Sequence, residues 1–208
     1  LGLALLLNQK LRGVTFFRTV YYLPTVMSGV AVATLWKWIF NTDYGILNQL
    51  LDRIGIRGPA WLTDERWAIW ALIIASTWTV GGSMLIFLAG LRQIPKELYE
   101  AAAIDGANGW HSFWRVTFPL LTPIIFFNFI MQMIHGLRAF TQAFIITEGR
   151  PLDSTLFYAL YLYQRAFVTF HMGYASAMAW VLLLVIGIAT AINFKLSSLW
   201  VHYETSEV

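Results

Sequence analysis

Few side chains in this sequence could do chemistry, and they fall in two places. Gln132, with Asn128 four residues before it and His135 three after it, makes a polar stripe at helical spacing inside an apolar run. An amide in such surroundings needs a hydrogen-bond partner, so the stripe could line a pathway or knit helices together. The second place is a polar segment, residues 94–119, which carries Glu97, Glu100, Asp105 and Arg115 between two long apolar runs. His111, His135, His171 and His202 show no paired metal spacing and there is no Cys, so neither a metal site nor a disulfide is expected. H-E-x-x-H, G-x-S-x-G and paired acids within the apolar runs are absent, so no catalytic residue is assigned. G-x-x-x-x-G-K-[ST] is absent too, so the chain does not cradle a nucleotide in the P-loop manner and no cofactor of its own is expected.

The elements that position these residues follow from composition. Of 208 residues, 58% are hydrophobic and 12% charged, with a mean hydropathy of +0.62. Soluble domains carry about 25% charged residues. So few charges do not cover a water-facing surface, and the expected solvent is a lipid bilayer. Ten Trp suit interfacial anchoring. The net charge of +3 comes without a basic stripe, so nucleic acid is not an expected partner.

Four stretches free of charge (His apart) are long enough to cross a hydrocarbon core, which needs roughly 20 residues. They are residues 19–36, 67–91, 116–137 and 166–194. The fold class expected is an all-α polytopic membrane protein with four full spans, plus the end of another at residues 1–7. Pro24 falls in the first full span and Gly81-Gly82 in the second, as helix breaks or points of close helix approach. Between these spans, Ile46, Leu47, Leu50, Leu51 and Ile54 share one face of a short amphipathic helix, with Asn48, Gln49, Asp52 and Arg53 opposite and Gly55 to stop it. Lys and Arg divide seven against seven between the two sides, so charge bias leaves orientation open. Only the first loop, with Lys10, Arg12 and Arg18, points weakly inward.

Residues 94–119 read as two short helices at an angle. Pro95 suits a first helical turn, Lys96 to Asp105 are largely helix formers, Gly106 is placed to terminate, and Asn108 to cap a second helix. In that helix Trp110, Phe113, Trp114, Thr117 and Phe118 recur at helical spacing, and Pro119 leads into the next span. The pattern alone allows a unit that docks onto another protein or a cap on the chain's own bundle.

Glu100-Ala101-Ala102, Asp105-Gly106-Ala107 and Val116-Thr117-Phe118-Pro119-Leu120 together resemble the EAA signature of ABC importer permeases. The resemblance extends to Tyr22-Leu23-Pro24, Trp36-Lys37-Trp38-Ile39-Phe40-Asn41, Phe87-Leu88-Ala89-Gly90-Leu91, Gly173-Tyr174-Ala175-Ser176-Ala177 and Trp200-Val201-His202-Tyr203-Glu204. These are similar to the carbohydrate-importing, maltose-type branch. Thr147-Glu148-Gly149-Arg150-Pro151 departs from it, with Arg150 where a Gly is usual.

The resemblance implies a MetI-like ABC importer permease bundle, a single transmembrane domain over residues 1–208, lacking its first span and most of its second. It implies a prokaryotic cell membrane, with the EAA loop and the C-terminus cytoplasmic. It implies as partners a cytoplasmic ABC ATPase dimer that binds the ATP, a second permease subunit and an extracytoplasmic solute-binding protein. In the loop, Glu100 would meet a basic group on the ATPase, Ala101 and Ala102 would allow close approach, and Asp105, Gly106 and Pro119 would complete the motif. The expected cargo is a sugar or oligosaccharide. By position against the maltose-type pattern, Thr25, Gly29, Trp78, Thr79, Gln132 and Gly136 correspond to its path, and His135 joins them from the polar stripe. The rival expectation is an ion-coupled secondary transporter, which would place acids inside its spans; the four apolar runs contain none.

Overall fold

The computed structural model describes residues 1–9 and 13–201. Lys10 and Arg12 of the inward-pointing loop, and His202, Tyr203 and Glu204 of the terminal pattern, lie outside the described residues. Among the described residues there are helices and turns and no strand.

Two of the four apolar runs are continuous helices: Gly109–Leu137, and α11 at Met172–Ser197. The run 67–91 is a pair, α5 (Glu65–Thr77) and α6 (Gly81–Gln93), bent by 46°. The run 19–36 is divided between α2 (Val14–Val26) and α3 (Gly29–Ile39), with Met27 and Ser28 extended between them. Among the described residues, two single helices are long and apolar enough to cross a membrane, three if the bent pair is one span, and the run 19–36 is carried by two shorter helices. Distance between charges measures apolar length; it does not register where the backbone leaves the helix.

Gly81 shows what the second break achieves. A Cβ there would collide with the Tyr21 carbonyl and lie 2.8 Å from the Tyr22 Cα. The first turn of α6 therefore packs directly on the backbone of α2, as small residues allow. The six-residue α1 (Gly2–Leu7) packs against α6 and α2, and Arg18 reaches from α2 to donate to the Leu7 carbonyl at 2.5 Å.

The breaks separate two apolar cores. One gathers Ala33 and Phe40 with Trp61, Ala71, Leu72 and Ala75 of α5, together with Ala143, Ile146 and Leu160. The other gathers Ala4 and Leu7 of α1 with Met84, Phe87, Leu88 and Leu91 of α6, and Ile94 and Leu121. Thus α5 serves one core and α6 the other. Near the bend, Trp78 meets Trp36 edge to face at 5.8 Å, and Trp36 stacks on Phe40 at 5.0 Å.

The amphipathic helix forms as α4 (Ile46–Arg53), ended by Gly55 at φ +78. Its buried face differs from the expected one. Leu47 and Leu51 pack on the first core, but Ile46, Leu50 and Ile54 are exposed and Asn48 is buried. The Asn48 amide nitrogen donates to the Thr42 and Pro59 carbonyls at 3.1 and 3.3 Å, and its Oδ1 accepts from Trp61 Nε1 at 2.8 Å. A fully partnered amide can occupy a core position that hydropathy alone assigns to leucine.

Toward the C-terminus, α10 (Tyr158–Tyr163) is pinned to α11 by the Tyr158 hydroxyl, which donates to the Met178 carbonyl at 2.9 Å.

Two substitutions test this packing. Asn48→Leu leaves the Trp61 N–H and two carbonyls unpaired and is expected to cost about 1–3 kcal/mol. Gly81→Ala forces α6 off α2 and is expected to cost a similar ~1–3 kcal/mol. Thermal unfolding of detergent-solubilised protein measures both, against Gly2→Ala, where an added Cβ meets nothing within 4 Å.

Candidate functional site

The polar segment forms as two helices joined by a sharp bend. The first is α7 (Lys96–Ile104), with Pro95 as its N-terminal flanking residue and Glu97 in the first turn, where a carboxylate favours the helix dipole. Its end is built on Gly106, at φ +78. The Gly106 N–H donates to the Ala103 carbonyl at 3.1 Å and the Ala107 N–H to the Ala102 carbonyl at 2.9 Å. This pair of bonds is the Schellman arrangement, and it satisfies carbonyls that the helix leaves open. Nothing lies within 4 Å of a Cβ added at Gly106, so the requirement for glycine there is conformational rather than steric. Asn108 caps the next helix: its Oδ1 accepts from the His111 N–H at 2.9 Å.

The second helix runs on through Pro119 into the next span. Helix α8 (Gly109–Ser112) passes through a π-helical turn, Phe113–Thr117, into α9 (Phe118–Leu137). The Phe118 N–H reaches back to the Phe113 carbonyl, one residue further than in an α-helix. This wider turn comes where Pro119 has no N–H to offer, so the chain passes the proline without ending the helix. Pro119 thus stands within a membrane-length helix, while Glu100, Ala101, Ala102, Asp105 and Gly106 belong to α7 and the bend that precedes it.

Glu100, Ala101, Asp105 and Gly106 are exposed, and Ala102 and Pro119 half-buried. Helix α7 buries none of its residues. Beside it, Trp110, Phe113, Trp114 and Phe118 make a chain of ring contacts at 5.1–6.4 Å, with Trp110 68% exposed.

A cavity of about 560 Å³ lies at the bend between α5 and α6, against α9. It brings together Thr79 and Gln132 from the expected path, and adds Ser76, Thr77, Ser83 and Asn128. Gln132 Nε2 donates to Ser83 Oγ at 3.0 Å, tying α9 to α6. Asn128, buried, donates to the Ile124 carbonyl of its own helix at 3.0 Å. Met84, Phe87, Ile125 and Phe129 supply apolar walls. Trp78, Thr25, Gly29, His135 and Gly136 are not among the lining residues. The sequence reading missed the hydroxyls of Ser76, Thr77 and Ser83. Their signal was a Ser/Thr cluster flanking Gly81-Gly82, which becomes meaningful only once the helix bends there. Among the described residues no three His, Asp or Glu side chains converge on a metal-sized site.

A second, outer cavity of about 360 Å³ is bordered by Lys37, Thr63, Glu148 and Arg150. Lys37 Nζ meets Glu148 Oε1 there at 3.2 Å, joining the end of α3 to the segment in which Arg150 departs from the usual pattern.

Residues 1–199 match the model of the binding-protein-dependent transport system inner membrane component. The chain belongs to that family. It is 52% identical, over 100% of its length and 68% of the relative's, to the probable ABC transporter permease protein YesP of Bacillus subtilis (strain 168). It is 41% identical, over 92% of its length and 66% of the relative's, to the multiple sugar-binding transport system permease protein MsmF of Streptococcus mutans serotype c. A solved bacterial alginate ABC transporter, in complex with an alginate pentasaccharide-bound periplasmic protein, superposes with a TM-score of 0.86 at 25% identity, covering 94% of this chain and 69% of that one. The chain therefore spans about two thirds of the length of these relatives. They are named as transport permeases, so the family is one of integral membrane transport components and not of enzymes.

In this permease the bend at Gly106 depends on φ alone. Gly106→Ala is expected to loosen it by about 1–2 kcal/mol, the cost of a left-handed L-residue, and Gly106→Asn by less. Asn108→Ala removes the cap and is expected to cost about 1 kcal/mol. Amide hydrogen exchange across residues 96–112 reads both as faster exchange confined to the loop.

Proposed function

We propose that this chain is the membrane-spanning permease subunit of an ATP-driven importer, and that its cargo is a sugar or oligosaccharide. The observation that carries the reading is the exposed helix α7, ended by the Gly106 bend and followed by a helix that runs unbroken into a membrane span. A partner that moves α7 moves the base of that span. The partner is a cytoplasmic ATPase dimer that binds and hydrolyses the ATP, with Glu100 as the charged contact and Ala101 and Ala102 as the close-approach surface. The loop and the C-terminus then face the cytoplasm of a prokaryotic cell. A second permease subunit completes the pathway, and an extracytoplasmic solute-binding protein delivers the cargo; the structural relative with its periplasmic protein supports that partner. The single permease domain over residues 1–208 rocks around the cavity at the α5–α6 bend, as alternating access requires.

Sugar as cargo is supported by the name of the Streptococcus mutans relative and by the cavity wall, where hydroxyls and amides alternate with aromatic faces. The ion-coupled alternative gains nothing from α9 and α11, which carry no Asp or Glu.

Uptake by the reconstituted complex is expected to be vanadate-sensitive and indifferent to protonophores; the opposite pattern overturns the reading. Glu100→Lys is expected to leave the protein in the membrane while separating ATP hydrolysis from uptake. Gly106→Pro should do the same, because proline cannot adopt φ +78. Normal uptake by a well-expressed Glu100→Lys complex would falsify the coupling role. Gln132→Leu removes the bond to Ser83 and one cargo-facing amide, and is expected to lower uptake about fivefold with assembly intact, as for one lost hydrogen bond; radiolabelled sugar accumulation measures it.

A further inference from the structure

Helix α7 has almost nothing to push on. None of its residues is buried, Leu98 and Ile104 are 39% and 87% exposed, and it forms no extended contact with another element. Tyr99 is the partly buried apolar side chain of α7 that packs against the core of Met84, Phe87, Leu88, Leu91, Ile94 and Leu121. Its hydroxyl lies 2.9 Å from Thr117 Oγ1, half-buried. Thr117 is itself buried and is the last residue of the π-helical turn from which α9 rises.

The covalent path from α7 to α9 runs through the Gly106 bend and through α8, an element of four residues. Such a bend transmits displacement poorly unless a second contact closes the triangle. The Tyr99–Thr117 hydrogen bond is that contact. We infer that Tyr99 is the positioning residue that makes α7 and the base of α9 a rigid unit, so that displacement of α7 becomes tilt of α9 rather than flexing at Gly106. The inference rests on the proposed ATPase coupling and deepens it. It places the transmission at one hydroxyl pair, on the face of α7 that meets the bundle.

The π turn strengthens the case. Its i→i+5 bonding is weaker than regular helix, and π turns concentrate where helices do functional work. A hydrogen bond from α7 to the last residue of that turn braces this segment of the 29-residue helix Gly109–Leu137.

The test uses the full complex of permease subunits, ATPase and binding protein in proteoliposomes, with ATP hydrolysis and sugar uptake measured together. Tyr99→Phe keeps the ring in the core and removes only the hydroxyl. It is expected to keep the ATPase bound and hydrolysing while uptake per ATP falls about fivefold, the scale of one hydrogen bond. Thr117→Val should give the same loss, Thr117→Ser should restore the wild-type ratio, and the Tyr99→Phe/Thr117→Val double variant should be no worse than either single one. A wild-type ratio of uptake to ATP in Tyr99→Phe overturns the inference. So does loss of ATPase capture, which would make Tyr99 part of the docking surface instead. Glu100→Lys in the same assay separates the two levels. If it is uncoupled while Tyr99→Phe is normal, only the strut fails; if it too is normal, the coupling reading fails.

Discussion

In hydrocarbon every backbone N–H and C=O has to find its partner within the protein, and this chain depends on how it meets that constraint. Continuous helices meet it automatically. The two interruptions, at Met27-Ser28 and at Trp78–Val80, do not, and each requires a neighbour. Gly81 is the solution at the second: without a Cβ, the start of α6 lies on the backbone of α2, and the Thr79 hydroxyl donates to the Ser76 carbonyl within the turn. Trp78 and Trp36 close the same level from the other core. Ser76, Thr77 and Thr79 at the bend also line the cavity, and their hydroxyls donate to the Ile73 and Ser76 carbonyls.

The division into two cores follows. A straight helix from residue 65 to 93 would put one continuous apolar face against the bundle. With a 46° bend, α5 and α6 serve different clusters, and the cavity opens at the bend, walled by Met84 and Phe87 of the second. Gln132 donates to Ser83 beside the cavity, a side-chain hydrogen bond from α9 to α6. At the loop end, two backbone bonds close the bend at Gly106, and the Tyr99–Thr117 hydrogen bond braces α7 on the π turn at the base of α9.

Much of the loop was legible in advance because its signals are local. Gly106, Asn108 and the Glu100-Ala101-Ala102 run act through their own backbone neighbourhood: a positive φ, a cap and a helix-forming run. What the pattern did not register there was the π turn at Phe113–Thr117, which joins the second short helix to α9 without a break. The amphipathic helix α4 failed on one residue for a different reason. Asn48 reads as polar, yet three hydrogen-bond partners from residues 42, 59 and 61 make it a core side chain, and none of them is visible in its own helical face.

Composition and pattern alone determined that the chain belongs in lipid, that it is helical, and where its bend-forming glycines and its projecting loop lie. Those properties are sums over residues or depend on neighbours within one turn. The tertiary structure decided which apolar runs are continuous, that Thr79, Ser83, Asn128 and Gln132 share one cavity while Trp78 packs on Trp36, and that Tyr99 ties α7 to the bundle. Each of these joins residues from different helices, and helical periodicity specifies a face without specifying the neighbour that covers it.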